Sequence, residues 1–326
     1  VYDRTVGTFV TAVSIRERSA SMAFGQDGYN YVLHGEGTYV GIRRYDATTG
    51  ADQGQWLAKE SWMSGIAIGP HDGYLYVCGG STIKRYQDSG GSGVLVESQF
   101  ASGGNKMIHM VWDGGYLYAS DLGPATDNDG TVQRFDSSGT HMGAVIAPGA
   151  GGLDQPWGFD IAPNGDILIA DYNPEQLVRR YSADGTFIDN FPAMPNSGRP
   201  WALAVGPPLE SGFYVYTTGS FGNTGDPDRM FGYDSDGQLV WETEDHVAGG
   251  QGSRALELVG KELYTTRWDG HTYQRYARDD GAFLGTHSSK QFPNDIALGP
   301  DGYLYVVSGD GGDKGIHRYN PTTQAY

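Results

Sequence analysis

Five residues could do acid–base chemistry if the fold brought them to one face: His34, His109, Glu257, Arg267 and His271. A histidine that moves a proton, beside an arginine that neutralises a carboxylate, suits β-elimination from a uronic acid or attack on a cyclic ester. Tyr172 would serve as the acid in the same scheme. Eight histidines in 326 residues will place some near any face by chance, and neither His-x-His nor His-Glu-x-x-His occurs. No Gly-x-Ser-x-Gly, phosphate loop or dinucleotide fingerprint stands in a strand–helix context.

Two further sets point to other chemistry. Asp121 and Asp171 hold equivalent positions in neighbouring repeats; together they could hold a hard cation such as Ca²⁺ or share a proton. The competing reading is that each caps its own turn, as aspartate readily does. Trp157 and Trp201, each preceded by Pro, are likewise equivalent, and Trp268 lies in the loop Arg267-Trp-Asp-Gly-His271. Indoles at one mouth, with Arg254 and Asn294 at the matching place in later repeats, would suit stacking on a sugar ring. Packing between repeats would explain the tryptophans equally well. Thr126–Gly130 has the composition of a calcium loop but lacks the distal Glu, and Asp234–Gly237 and Asp310–Asp313 read as ordinary turns.

What must position these residues is a repeat. An Arg-aromatic-polar motif ends at Asp46, Gln87, Asp136, Ser182, Asp234, Ala277 and Asn320, with Gly232 in place of the Arg in the fifth copy, and its aromatics lie 41 to 52 residues apart. Upstream of it, Ile-Ala runs lead through Asp-Gly or Asn-Gly turns into runs such as Tyr74-Leu-Tyr-Val77 and Tyr303-Leu-Tyr-Val306. Short apolar runs joined by such turns are hairpins, because these residues accept the positive φ of a tight turn. Several strands per period of this length predict a β-propeller. The expectation is an all-β, seven-bladed propeller of four-stranded blades spanning 1–326 as one domain, with six blades as the alternative. Blades fall roughly at 19–58, 61–102, 104–149, 153–194, 197–249, 252–289 and 292–326. The last lacks an obvious fourth strand, so Tyr2–Val10 is expected to pair there and close the ring from both termini.

Aligning the repeats puts two rings on one face. The first, at the end of each second strand, is His34, Gly79, Asp121, Asp171, Thr218, Arg267 and Ser308. The second, where each first strand begins, is Met22, Met63, Met107, Trp157, Trp201, Arg254 and Asn294, to within one position. His109, Asp160 and Glu257 fall inside first strands. The arginine of each Arg-aromatic pair recurs by blade, which suits an architectural role in stacking and snorkelling.

The 51 glycines and 22 tyrosines fit a strand-and-turn protein, and the net charge of −17 argues against nucleic-acid or anionic-membrane partners. Cys78 is the sole cysteine, so neither an internal disulfide nor a thiolate cluster can form. No apolar run approaches a membrane span, and Val1-Tyr-Asp has no leader character, as expected of a mature or trimmed terminus.

The Ile-Ala, Gly-Pro-Asp-Gly, Tyr-Leu-Tyr-Val and Arg-Tyr-Asp-x-x-Thr-Gly elements resemble NHL-type propeller repeats of secreted bacterial proteins. They are more distantly similar to streptogramin-lyase and gluconolactonase-like propellers. The resemblance covers essentially the whole chain and implies architecture far more than activity, because one scaffold hosts enzymes, lectins and interaction modules. It favours an extracellular or cell-surface recognition or scaffold module that binds a glycan or protein on its loop face and requires no cofactor. The alternative it carries is a lyase or lactonase that uses the His, Glu and Arg set, with metal assistance.

Overall fold

A computed structural model of the chain describes residues 2–3, 8–9, 21–34, 41–47, 49, 51–58, 60, 63–124, 129–171, 177–191, 199–206, 214–220, 229–244, 253–267, 270–289, 293–299, 301–308 and 315–321. Two short strands, β1 (Tyr2–Asp3) and β2 (Thr8–Phe9), precede the repeats. Blade 1 is β3 (Ser21–Phe24), β4 (Tyr29–His34), β5 (Gly41–Asp46) and β6 (Asp52–Ala58). Blade 2 is β7 (Gly65–Ile68), β8 (Leu75–Gly79), β9 (Thr82–Ser89) and β10 (Ser92–Ser102). Blade 3 is β11 (Met107–Asp113), β12 (Tyr116–Asp121), β13 (Thr131–Phe135) and β14 (His141–Ile146). Blade 4 is β15 (Pro156–Ile161), β16 (Ile167–Asp171), β17 (Leu177–Tyr181) and β18 (Phe187–Asn190), preceded by a single 3-10 turn at Ala150–Gly152. Blade 5 is β19 (Arg199–Gly206), β20 (Tyr214–Ser220), β21 (Arg229–Tyr233) and β22 (Leu239–Glu244). Blade 6 is β23 (Ser253–Val259), β24 (Glu262–Arg267), β25 (Thr272–Ala277) and β26 (Phe283–Ser288). The last sheet is β27 (Pro293–Leu298), β28 (Leu304–Ser308) and β29 (Gly315–Tyr319).

Each sheet is an antiparallel meander: six have four strands and the last has three. Six complete blades thus stand where seven were expected, the number allowed as the alternative, and the seventh repeat forms a three-stranded sheet.

The hairpin that starts a blade is held by its turn aspartate. Asp72 accepts the Tyr74 N–H at 3.1 Å and the Tyr76 hydroxyl at 2.6 Å. Asp27 does the same for Tyr29 and Tyr31, and Asp301 for Tyr303 and Tyr305. Gly28, Gly73 and Gly302 follow these aspartates with φ of 85°, 68° and 78°, a region closed to most side chains. The Arg-aromatic arginines then stack on the first tyrosine of the hairpin. Arg44 lies 4.0 Å from the Tyr29 ring centre and Arg318 lies 3.5 Å from that of Tyr303. Arg44 also pairs with Asp88 of the next blade at 2.8 Å. The expected architectural role of these arginines holds.

Burial follows the seams between blades. The buried apolar residues fall into clusters that each span two neighbouring sheets, such as Ala67, Tyr76 and Phe100 with Trp112 and Leu117 across blades 2 and 3. One such cluster closes the ring: Met22, Phe24, Val32 and Tyr45 of blade 1 meet Ala297, Tyr305, Val307 and Ile316 of the last sheet. The Phe24 and Tyr305 rings lie 5.5 Å apart edge-to-face, and the Tyr305 hydroxyl donates to the Ala47 carbonyl. Closure by an N-terminal strand is corrected by this arrangement. Among the described residues β1 pairs only with β2, through Tyr2–Phe9 and Asp3–Thr8, and no strand pairs with the outer edge of β29. A local antiparallel pair costs little loop entropy, while apolar burial supplies the closure.

The first strands of neighbouring blades pack on one another around the ring, which makes them the innermost. They also carry a distinctive irregularity. The pairing of first and second strands shifts between Met107 and His109, Pro156 and Gly158, Pro200 and Ala202, Ser253 and Leu256, and Pro293 and Asp295. Five successive blades are therefore bulged at the same place.

Candidate binding face

A bulge inserts a residue without a cross-strand partner and re-aims its side chain. The residues inserted here are Ile108, Trp157, Trp201, Arg254 with Ala255, and Asn294. Four of them are residues singled out as ligand contacts from the sequence. The prolines explain the location. Pro lacks the N–H a ladder needs, so within sheets it is confined to edge strands, first positions and bulges; Pro156, Pro200 and Pro293 stand at such positions on the innermost strands. Trp157 is half-buried, with its indole N–H directed at Gln155 Oε1 at 3.5 Å, whereas Asn294 is buried. Of Trp201 and Arg254 the backbone position is described, and Trp268 lies outside the described residues.

The second-strand ring is also real, with one correction. His34, Gly79, Asp121, Asp171, Arg267 and Ser308 each end a second strand and face the first residue of the third, and in blade 5 that position is Gly219 opposite Arg229, not Thr218. The first-strand ring needs a larger change in blade 1. Met22 pairs with Val32 in mid-strand, deeper than Trp157 or Asn294, because blade 1 has no bulge to offset it.

The buried polar residues beneath the bulges are built in as structural parts. Asp121 accepts the N–H groups of Asn105 at 2.8 Å, Lys106 at 2.6 Å and Gly123 at 3.1 Å. Asp171 accepts those of Gln155 at 2.8 Å and Asp154 at 3.3 Å, and the Arg179 Nε–H at 2.5 Å. Each aspartate thus holds the loop that leads into its own blade; the expected capping of the turn that follows the second strand is seen at Asp121, through Gly123. No group of three or more His, Cys, Asp or Glu placed to hold a metal occurs among the described residues. Burial raises the Asp171 carboxyl above the usual range against the opposing pull of Arg179. Arg179, fully buried, also donates to the Gly151 carbonyl at 2.5 Å and Asn190 Oδ1 at 3.2 Å, and so ties the approach to Trp157 to the body of blade 4. It was not distinguished in the sequence, since Arg179-Arg180 reads as one more copy of Arg43-Arg44.

The acid–base set is dispersed. His34 is buried at the end of β4, with its ring nitrogen 3.3 Å from the Tyr45 hydroxyl. Arg267 and His271 flank one turn of blade 6; Arg267 is buried, and His271 carries a positive φ of 51°. His109 and Glu257 lie inside the innermost strands of blades 3 and 6, deeper than the bulges. Burial lowers His109 to about 4 and raises Glu257 to about 8. Of the five, only Arg267 and His271 share a loop.

Known structures share this fold. A hydrazine synthase chain from Kuenenia stuttgartiensis is similar at a TM-score of 0.69 with 14% identity, over 89% of this chain and 92% of that one. The computationally designed protein Ika8 is similar at 0.58 with 12% identity, over 95% and 98%. The WD40 propeller domain of Doa1 is similar at 0.59 with 11% identity, over 95% and 96%. The likeness is one of fold. No family model and no curated protein matches the sequence. Among the described residues no helix is long and apolar enough to cross a membrane.

Proposed function

We propose that this propeller is a recognition module of the extracellular space or cell surface that binds a glycan on its bulged face. The observation that supports the reading is the run of bulges in five successive blades, at which the backbones of Trp157, Trp201, Arg254 and Asn294 hold equivalent positions. Indoles supply flat apolar area for the C–H faces of a sugar, and Arg and Asn supply donors for its hydroxyls. The buried aspartates and Arg179 hold the loops beneath, so the face is preformed, which limits the entropy lost on binding.

Catalysis is the competing reading, and one experiment separates the two. A panel of neutral and uronate-containing polysaccharides should show binding without turnover. Trp157→Ala should weaken that binding by roughly 1–3 kcal/mol, about 5- to 150-fold in Kd. His34→Ala should leave it within about twofold, since stacking moves no proton. An unsaturated or ring-opened product lost in the His34 variant would replace this reading with the enzymatic one. Capture of a protein and no glycan would keep the face and change its ligand.

A further inference from the structure

The innermost strands have an edge that the others lack. Each pairs with its own second strand on one side only, so the other edge turns backbone groups toward the ring axis without a ladder partner. Ionisable side chains on four of these strands reach the innermost strand of the next blade, always in the same direction around the ring. His109 of β11 bonds the Phe159 backbone of β15, with the two rings edge-to-face at 5.2 Å. Asp160 of β15 accepts the Val205 N–H of β19 at 3.2 Å, and Glu257 of β23 accepts the Leu298 N–H of β27 at 3.2 Å. Asp295 of β27 accepts the Met22 N–H of β3, across the closure of the ring.

We propose that Asp160, Glu257 and Asp295 are proton-dependent latches, which tie blade to blade while protonated and loosen the seams they span when they ionise. Two of the three, Glu257 and Asp295, hold the two sides of that sheet, which has no fourth strand among the described residues. Ionisation has two opposed effects. A carboxylate makes a stronger bond to each N–H than a carboxyl does. Yet it is a charge taken largely out of water and set among like charges, with the N-terminal amine opposing the rise only in part at Asp160 and Glu257. The second effect wins. Burial raises Glu257 to about 8 and Asp295 well above the usual range, with Asp160 adding to the rise in Glu257 and Glu257 to that in Asp295. Asp160 is raised too, by burial and by Asp113.

Other charged groups lie on the strands packed around the latches. Of the strands packed against β23, β24 carries Glu262, Tyr264 and Arg267, and β27 carries Asp295. Glu262 is itself paired with Arg275 at 2.8 Å. Of those packed against β27, β23 carries Glu257, β24 carries the same three groups, and β28 carries Tyr305. Of those packed against β15, β16 carries Asp171, already paired with Arg179, β12 carries Tyr116, Tyr118 and Asp121, and β11 carries His109 and Asp113.

A carboxyl that titrates near 8 when latched and near 4.5 when released holds its proton more tightly in the closed ring. Opening at Glu257 should therefore rise about tenfold per pH unit between those values, then level off, and Asp295 should add to the rise in the same direction. Amide hydrogen exchange across β27 (293–298) and β3 (21–24), corrected for intrinsic rates, reads this directly from pH 5 to 8. Protection at 293–298 in the parent should fall about tenfold per unit, and that at 21–24 should fall in the same direction. Glu257→Gln, which keeps an oxygen for the Leu298 N–H, should make the slope at 293–298 shallower by one factor of ten per unit. Asp295→Asn should make the slope at 21–24 shallower, and it carries the test alone if Glu257→Gln does not fold. Equal parent protection at pH 5 and pH 8, or a parent-like slope in the folded variants, overturns the proposal.

Discussion

The innermost and outermost strands of the blades invert the usual pattern of burial. The inner strands hide His109, Glu257 and Asp295, whereas the outer strands show Val94, Leu95 and Val96 on β10, Met142 on β14 and Val240 on β22 to solvent, each 41% to 49% exposed. Both are edge strands, and both are irregular: five of the seven inner strands are bulged, and every outer strand of the six complete blades shifts register against its neighbour. The pairing between second and third strands is unbroken in all seven sheets. Irregularity thus belongs to position in the sheet. At the axis a bulge offsets one residue from the ladder, and carboxyls reach across the bare edge to the next blade. At the rim a bulge twists the edge away from pairing with another chain, so exposed apolar residues there are tolerated.

The sharpest way to break this contrast is to remove a charge from the inside. Arg179→Met leaves the Asp171 carboxylate buried beside Gly151 and Asn190 without its guanidinium. Losing one partner of a buried pair should cost about 3–5 kcal/mol in a urea melt at pH 7. The deficit should shrink toward pH 5, where Asp171, no longer held down by Arg179, takes up a proton. Asp171→Asn in the same background should recover part of the loss. A single variant that melts like the parent would make the pair dispensable and the loop before Trp157 self-supporting.

What could be read in advance follows the same division. The A–B hairpins were legible because Asp72, Gly73 and Tyr76 act within five residues of one another, and the Arg-aromatic stacks because each lies within one blade. The axis was not. The partner of Glu257 is Leu298 and that of Asp160 is Val205, 41 and 45 residues away and in another sheet. Asp295 passed as one more Asp-Ile-Ala copy. A bulge shifts alignment by one residue, which misplaced Met22 against Trp157; the prolines at 156, 200 and 293 were the available clue. Closure was sought in strand pairing at Tyr2–Val10, yet apolar packing between blade 1 and the last sheet provides it.

A second, smaller test uses pH to compare two inner residues of opposite sign. His109 is held neutral by burial, with its folded value near 4 against 6.5 when unfolded. The unfolded chain binds more protons between those values, so this contribution is fully present above pH 6.5 and is lost as pH falls through 4. It amounts to roughly 3 kcal/mol. The latching carboxyls act in the other direction, losing stability as pH rises, so His109 and Glu257 offset each other between about 4.5 and 6.5. His109→Gln should flatten the acid side of that profile alone. An unchanged acid side in this variant would assign the loss to other groups.

The smallest effect should come from the rim. Leu95 stands on β10 beside the register shift between Leu95 and Glu97, 45% exposed. Leu95→Thr removes apolar area that water already reaches and keeps a residue suited to a strand. The change in stability should stay within about 0.5 kcal/mol, and the melting temperature within about 2 °C. A fully buried counterpart such as Ile169→Ala, truncated between blades 3 and 4, should cost about 2–5 kcal/mol. The ratio between these two substitutions measures how far the rim is from being a core. If Leu95→Thr costs as much as Ile169→Ala, the run Val94–Val96 is covered in solution. Sedimentation at rising concentration would then show whether a second copy covers it, through a dimer that the Thr variant fails to form.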